Sequence, residues 1–556
     1  MTHSTAAPAF SRLGPALVLV ALAVALVHGG ALQNGFYYDD EPQIINGQLN
    51  RSWSSVPVLF AVENWRNVTG EARATAAPID TYRPLYMISF VVDYQLFGLR
   101  PAGYHAVNLL WHLGCALLLL LVARRLLSPV PALFAALLFA WHPMGISPVH
   151  YVSARPDAAI TFFALLALLL ALGAVARNGR GNIWRYAGVG LAYLLALLWK
   201  ESALLLCAAV PAVVWAARPH VRRRDAAGLA GSMLAGLGVY LSLRLYALGG
   251  MAAVQDSGHA LAIVVNFPRA AVLWLLAAGF QFVPLPLRSF DPLVAPFSAI
   301  AFGLAAVFYV ALGAALLFGL WQRRLWAGLG LWVVLGLAPP VVAMVRTGAI
   351  DGYYFYLTVP ALALLLGAGF SRLAQWPIRR GLVVGLAAAV LLGAGLISLS
   401  AARHFRDAES FYLGIIDAGP HRSSAEYNLA GHLRDVGRYD EAVALYRLLL
   451  THQPHNPALY NNLAGALQQG GHLQQALPHA REAVRLAPGN ATYWFNYAFL
   501  ALQAGDAALA RPALLRALEI APQLVPAQRL YAHYFGNGGG DASGISEQHA
   551  PNGSGP

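Results

Sequence analysis

Three consecutive acids, Asp39, Asp40 and Glu41, follow Phe36-Tyr37-Tyr38 and precede Pro42. They stand just beyond an apolar run, where charge is costly beside hydrocarbon, so they point to a site. A carboxylate there can take a proton from an acceptor hydroxyl as general base, or help to hold a divalent cation such as Mg or Mn. A solvated turn is the plainer use of the same residues. Other charged and polar groups recur at the ends of later apolar runs. They are Arg83 in Thr81-Tyr82-Arg83-Pro84-Leu85, His142 before Pro143, and Arg155 and Asp157 in Val152-Ser153-Ala154-Arg155-Pro156-Asp157. Lys200-Glu201 and the stretch Arg346, Asp351, Tyr353, Tyr354 and Tyr356 complete the set. Placed at one membrane face, these groups can converge on a recessed, water-filled cavity. His142, a lone histidine beside proline, serves equally as a structural hydrogen-bonding group.

The elements that must position them are membrane spans. Of 556 residues, 58% are hydrophobic and 11% charged, against about 25% charged in soluble domains, so a purely soluble chain is excluded. Apolar runs at 13–31, 104–123, 126–143, 157–176, 183–199, 202–217, 226–248, 299–321, 325–345, 353–371 and 381–401 predict about eleven transmembrane helices. Residues 260–283, interrupted by Pro268 and Arg269, read as a re-entrant or interfacial segment. The first run reads as a retained anchor with the N-terminus cytoplasmic. Inner loops then carry fifteen arginines against one acid, Asp225, and the other twelve acids before residue 402 fall on or near the outer side. This satisfies the positive-inside rule. The net charge of +12 is thus largely a topology signal, and no nucleic-acid partner is needed to explain it. Cys115 and Cys207 lie in apolar runs and give no disulfide framework. The first outer loop, 32–82, holds Trp53, Trp65 and many apolar residues, and reads as a folded cap. Asn67-Val68-Thr69 and Asn490-Ala491-Thr492 match glycosylation sequons and carry no weight here.

From about residue 404 a 34-residue period takes over. Ala430, Ala464, Ala498 and Ala532 fall in register, as do Gly437, Gly471 and Gly505, then Ala442, Ala476 and Ala510, then Pro454, Pro488 and Pro522. Small residues recur where two antiparallel helices touch, glycine ends the first helix and proline the second. This pattern resembles tetratricopeptide repeats (TPR), whose superhelix offers a concave face to extended peptides or protein surfaces. The fold class expected is all-α: a polytopic membrane domain over 1–401, a TPR superhelix over 402–535, and a Gly/Ser/Asn/Pro-rich disordered tail over 536–556.

The order of these motifs carries a further resemblance. Tyr-Asp-Asp after the first span, Tyr-Arg-Pro-Leu, His-Pro with Val-Ser-x-Arg-x-Asp, Lys-Glu and the late Tyr-x-Tyr-Leu resemble the transmembrane-and-TPR proteins. Their eukaryotic members are protein O-mannosyltransferases, and they belong to the C-type membrane glycosyltransferases (GT-C). That resemblance implies a polyprenyl-phosphate sugar as donor and an essential acid in the first outer loop, Asp39 or Asp40. Asp40 is the choice for the base, with Asp39 orienting it. It also implies cations for the lipid phosphate: Arg155 and Lys200 match family positions, and Arg83 and Arg346 are further candidates. Lys200 is the only lysine among 37 basic residues; its plain alternative is a snorkelling or Glu201-paired structural role. Glu41, His142, Asp157, Glu201, Tyr354 and Tyr356 are supporting candidates. Two positions depart from the family: Ser147 stands where many relatives have glutamate, and Tyr353 where they often have arginine. The missing acid weakens a metal-dependent mechanism and leaves a metal-free one open.

The resulting expectation is an inverting GT-C glycosyltransferase of a bacterial inner membrane, with its repeats in the periplasm. It would transfer a sugar to a hydroxyl of protein Ser/Thr or glycan. Its partners would be the donor lipid, the bilayer and a protein or peptide acceptor or partner at the repeats. The first rival is a non-catalytic membrane-anchored TPR scaffold. A transporter would need charged groups in mid-membrane, whereas here they cluster at span ends.

Overall fold

The computed structural model describes residues 12–61, 81–175, 182–248, 299–339, 352–375, 380–418 and 423–536, all of it helix, turn and loop. It divides into two compact units, Met1–Ser410 and Phe411–Pro556, so the division falls a few residues beyond the expected 401/402. Residues 260–283, Asp351 and Arg346 lie outside the described residues.

In the first unit the longer helices are α1 (Leu13–His28), α2 (Pro84–Phe97), α3 (Pro101–Leu126), α4 (Pro129–Ala140), α5 (Arg155–Val175), α6 (Asn182–Trp199), α7 (Leu206–Ala217), α8 (Arg223–Leu248), α9 (Ala299–Trp321), α10 (Leu325–Gly336), α11 (Val359–Leu373) and α12 (Arg380–Ala402). Proline opens α2, α3 and α4, where its missing N–H costs nothing and its φ is already helical. α5 is the hub, packed between α3 and α6, with α8 outside α6, and α11 against α4 and α10. The span containing α5 is 61% buried within the protein, whereas those of α9 and α12 are 17% buried. The apolar sides of α9 and α12 therefore face away from protein, as helices lying in lipid do.

Among the described residues, seven helices are long and apolar enough to cross a membrane; joining α4 to Pro143–His150, across a 52° bend, makes eight. Three more apolar helices, Ile183–Trp199, Glu201–Ala217 and Leu325–Gly336, are shorter. The eleven expected runs thus become eight full-length candidates and three short ones. At a rise of about 1.5 Å per residue, a twelve-residue helix such as α7 reaches roughly 18 Å, against about 30 Å of hydrocarbon. The chain is a multi-pass membrane protein with several short helices at its core.

In the described part of the first loop, Glu41–Ile45, Leu49–Arg51 and Trp53–Ser55 form single turns, followed by a short helix, Val56–Ala61. Ile44 and Leu59 are buried, so this part of the loop is folded.

The second unit is a stack of helix pairs: α13 (Ala408–Ala418) leads into it, then α14 (Ser423–Asp435) with α15 (Tyr439–His452), α16 (Pro457–Gln469) with α17 (Leu473–Leu486), and α18 (Ala491–Gln503) with α19 (Ala507–Ile520), before a last helix α20 (Val525–Phe535). The in-register alanines 430, 464, 498, 442, 476 and 510 are all buried, because a larger side chain would separate the paired helices. Gly437, Gly471 and Gly505 have φ of +83°, +82° and +81°. Each closes its helix with a residue in the left-handed region, and the next N–H reaches back five residues, as from His472 to the Leu467 carbonyl at 2.7 Å. A Cβ on Gly471 would meet no atom within 4 Å, so the demand for glycine is purely one of backbone. Gly471→Ala should therefore cost about 1–2 kcal/mol, and Gly471→Asn less, read as graded drops in the thermal unfolding of the repeats by circular dichroism.

Candidate functional site

The acid loop is tied down on both sides of Asp39. On one side the Tyr37 hydroxyl donates to the His150 carbonyl at 2.6 Å. On the other, Asp40 Oδ1 accepts from both the backbone N–H and the hydroxyl of Ser153, at 2.9 and 2.6 Å, while Oδ2 accepts from the Tyr37 N–H at 3.4 Å. Asp40 is fully buried. Burial pushes its carboxyl up to about 7, against the Ser153 and Tyr37 hydrogen bonds, with a smaller upward push from Asp39. Between the anchors, Tyr38 takes a φ of +56°, a left-handed conformation costing a non-glycine residue of order 1–3 kcal/mol and kept only where neighbours impose it. Asp39, the next residue, is partly exposed, and Glu41 is exposed.

A second group lies where α2, α5, α6 and the turn Gly352–Thr358 meet. Arg83, immediately before α2, binds Glu201 through Nε at 2.9 Å and through its terminal nitrogen at 2.5 Å; both side chains keep some exposure, 23% and 43%. Lys200 Nζ lies between the Asp157 oxygens at 2.9 and 2.7 Å. It also lies 4.4 Å from the Tyr354 ring centre and 5.2 Å from that of Tyr353, within cation–π range. Asp157 occupies the first turn of α5, where the helix dipole favours a carboxylate. Arg83 also feels Tyr354 and Asp157, so Arg83, Asp157, Lys200, Glu201 and Tyr354 form one cluster.

Two tyrosines connect this cluster to the acid loop. Tyr86 donates to Gln43 Oε1 at 2.6 Å and lies 3.0 Å from the Ser153 carbonyl; it sits in the fields of Asp39, Asp40 and Arg83. Tyr151 sits in those of Asp39, Asp40 and Tyr353. Tyr86 thus lies within electrostatic reach of both the acid loop and Arg83, and Tyr151 of both the acid loop and Tyr353, although more than three hundred residues separate Asp39 from Tyr353 in the chain.

Three expected members face elsewhere. Arg155 is fully buried, 2.6 Å from Asp93, and it donates to Asn108 Oδ1, Ser89 Oγ and the Tyr104 carbonyl at 2.6, 3.0 and 3.1 Å. Its guanidinium is thus consumed inside the bundle and is not presented to a lipid phosphate. His142 Nδ1 accepts the Met144 N–H at 3.2 Å, capping a turn. Tyr356 is buried and its hydroxyl is 2.6 Å from His112 Nδ1. Lys200, too, is almost wholly covered, and its partner is Asp157, not Glu201. Sequence reasoning missed Ser153, Tyr86 and Asp93 as partners. Asp93 alone carried a signal, as an acid within the apolar helix α2. Among the described residues, no three His, Cys, Asp or Glu side chains are grouped to hold a metal ion. Both Asp40 oxygens are already engaged, so no step is assigned to a cation.

Breaking a buried ion pair strands its partner. Arg155→Ala should destabilise the membrane unit by about 3–5 kcal/mol, and adding Asp93→Ala should recover part of that loss, measured as melting temperature in detergent.

A bundle of short and long apolar helices, with a charged cluster gathered at one end and a repeat unit after it, defines a polytopic membrane protein with a TPR domain. A tetratricopeptide-repeat family model matches residues 394–457 and 461–525. Protein O-mannosyl-transferase TMTC4 of Mus musculus is 24% identical over 495 residues, covering 78% of this chain and 66% of the relative. Drosophila melanogaster Tmtc1 is 33% identical over 178 residues, 32% of this chain and 20% of the relative; Mus musculus TMTC3 is 30% identical over 153 residues, 28% and 16%. The chain thus spans less than two thirds of the length of these relatives. An oligosaccharyltransferase of Archaeoglobus fulgidus, tethered with an acceptor peptide, aligns with a TM-score of 0.38 at 13% identity, covering 77% of this chain and 58% of that one. The TMTC4 alignment is longer than either unit, so in both units the chain is similar to the transmembrane-and-TPR O-mannosyl-transferases.

Proposed function

We propose that this chain is an inverting membrane glycosyltransferase that moves a sugar, mannose by analogy with its relatives' names, from a polyprenyl phosphate to a hydroxyl on protein Ser/Thr or glycan. The observation that carries the reading is Asp39. It is a partly exposed carboxylate held between two anchored residues, with Tyr86 and Tyr151 within its electrostatic reach. Asp39 takes the acceptor hydroxyl proton, the oxygen attacks the anomeric carbon, and the bond from that carbon to the lipid phosphate oxygen breaks. The roles first assigned within the acid pair are therefore exchanged: Asp40, buried and bound to Ser153, positions the loop, and Asp39 is the base. The departing phosphate gains charge that Arg83 can meet by exchanging Glu201 for phosphate oxygens. Arg346 stays a candidate for the same task. Lys200 and Asp157 hold Tyr353 and Tyr354 over the site. Arg155 serves as an internal strut.

The eight full-length spans and three short helices together make eleven crossings, with arginines on the inner side. In that topology the N-terminus is cytoplasmic. The site and the repeats (402–535, after the catalytic unit 1–401) face the periplasm of a bacterial inner membrane.

The test is glycan transfer from polyprenyl-phosphate mannose by the full chain in nanodiscs, together with mass spectrometry of periplasmic glycoproteins in a deletion strain. Asp39→Asn should lower transfer by about 10²–10⁴-fold, as loss of a general base does. If Asp39→Asn retains transfer, the assignment of the base is wrong, and if Asp40→Asn retains it as well a scaffold that works through its repeats takes the enzyme's place.

The acid limb of the pH profile tests Asp40 separately. Its ionised form accepts all three hydrogen bonds, so transfer should rise with pH through about 7, and Asp40→Asn should flatten that limb. Stability runs the other way. A carboxyl raised in the folded state contributes stability that is full below its unfolded value, near 4, and lost as pH rises through about 7. Ser153→Ala should shift the limb upward, since it removes a bond to the ionised form.

A further inference from the structure

Three connections at one end of the membrane unit, α3 to α4, α7 to α8 and α9 to α10, are gathered by arginine. Arg218, just after α7, donates to the Arg125 carbonyl at the end of α3 at 3.3 Å. Arg323, after α9, donates to the carbonyls of Arg218, Pro219 and Val221 at 3.2, 2.6 and 3.2 Å. Its guanidinium also lies 3.7 Å from the Trp215 ring centre. Arg323 has a φ of +55° and closes α9 where glycine is the usual residue, with the Arg324 N–H reaching back to the Gly319 carbonyl at 2.8 Å. Glycine would take that conformation without strain, so the arginine there points to a task for its side chain, which is to bind the loops together.

That framework confines charge that the fold leaves uncompensated. Arg125, Arg222, Arg223, Arg224 and Arg324 are all exposed, and none of them forms an ion pair among the described residues. Asp225, the acid in these loops, accepts instead from the Arg222 N–H and the Tyr186 hydroxyl, both at 3.2 Å. Arg223 and Arg224 open α8, at the end where a helix dipole repels cations and favours anions. The positive-inside rule counts arginines near span ends. It does not require them to be drawn onto one patch, or set at the unfavourable end of a helix. Arg324 is also oriented: its Nε donates to Gln322 Oε1 at 3.2 Å, leaving the two terminal nitrogens for an anion.

The surroundings decide where that anion comes from. Leu317, Phe318 and Trp321, on the last turns of α9, are exposed, as is Trp326 at the start of α10. The span of α9 is one of the two least covered by protein. An apolar side that runs to tryptophans and ends beside arginines is the setting of a phospholipid headgroup. A soluble anion would use the arginines and leave the apolar side idle.

We propose that this patch binds an anionic phospholipid, with its headgroup held among Arg125, Arg324 and the start of α8 and its acyl chains along the exposed side of α9. Calling its leaflet the cytoplasmic one, opposite the transfer site, rests on the topology proposed above; the binding itself rests on neither that topology nor the transferase reading. The test places the full chain in nanodiscs of palmitoyl-oleoyl phosphatidylglycerol and phosphatidylcholine in equal amounts. Native mass spectrometry of the released chain reads the lipids that stay bound. One arginine near an anionic surface strengthens association about fivefold, so phosphatidylglycerol should be retained over phosphatidylcholine by at least about tenfold. Arg125→Gln combined with Arg324→Gln should lower that ratio by about tenfold or more. Arg481→Gln with Arg529→Gln, which removes the same charge from exposed positions of the repeats, should leave it unchanged. Excess inorganic phosphate should not displace the lipid. Because Arg125 and Arg324 are exposed and outside any ion pair, their double variant should melt like the wild-type chain in phosphatidylcholine alone. If that variant does not fold, the wild-type ratio and the phosphate competition decide. Equal retention of the two lipids by the wild-type chain overturns the proposal. So does a ratio that survives the Arg125 and Arg324 changes, an equal loss in the repeat variant, or displacement by phosphate, which would mark a site for soluble anions.

Discussion

The two hydrogen bonds from Ser153 to the Asp40 carboxylate hold the acid loop to the residues that lead into α5, and the arrangement of the site depends on that joint. A carboxylate that loses its water must recover hydrogen bonds or give up its charge. Asp40 recovers them from Ser153 and from the Tyr37 N–H. Since Tyr37 is itself bound to His150, the loop cannot swing, and Tyr38 is left to absorb the mismatch in a left-handed conformation. Asp39, between the strained tyrosine and the buried carboxylate, keeps part of its surface open. Strain at Tyr38 and the costly burial of Asp40 thus act together to present Asp39.

The same constraint sorts the cations. Among apolar helix ends an unpaired charge is expensive, so Arg155 finds Asp93 and Lys200 finds Asp157, each pair nearly shut off from solvent. Of these three pairs, Arg83–Glu201 is the one that keeps part of its surface open. A phosphate group competes best for a cation whose existing partner is still solvated, because less is lost when the two separate. Arg83 is therefore better placed to exchange partners than either buried cation, although Arg155 and Lys200 carry the same charge.

Much of this was legible in the residues. Hydrophobic runs marked the helices, because a span must be apolar along its length. The 34-residue register marked the repeats, because each small residue and each glycine answers a local requirement: close helix contact at Ala464, a left-handed φ at Gly471. The acid triplet stood out because three charges beside a span are improbable without use. Arg155 misled for a physical reason. Its motif stands at a span end beside the other charged groups, but its partner, Asp93, lies sixty-two residues earlier on another helix, and no local pattern pairs them.

By itself the sequence determined which segments are helical, which of them are apolar enough for a membrane, that tetratricopeptide-like repeats follow them, and which few residues carry charge at the helix ends. Those properties depend on composition and short-range period. The tertiary structure alone decided which charges neutralise each other, which acid is buried and which stays open, and which of three cations keeps a solvated partner. Those outcomes turn on contacts between helices distant in the chain, where a difference of an ångström or two separates a structural ion pair from a group free to meet a substrate.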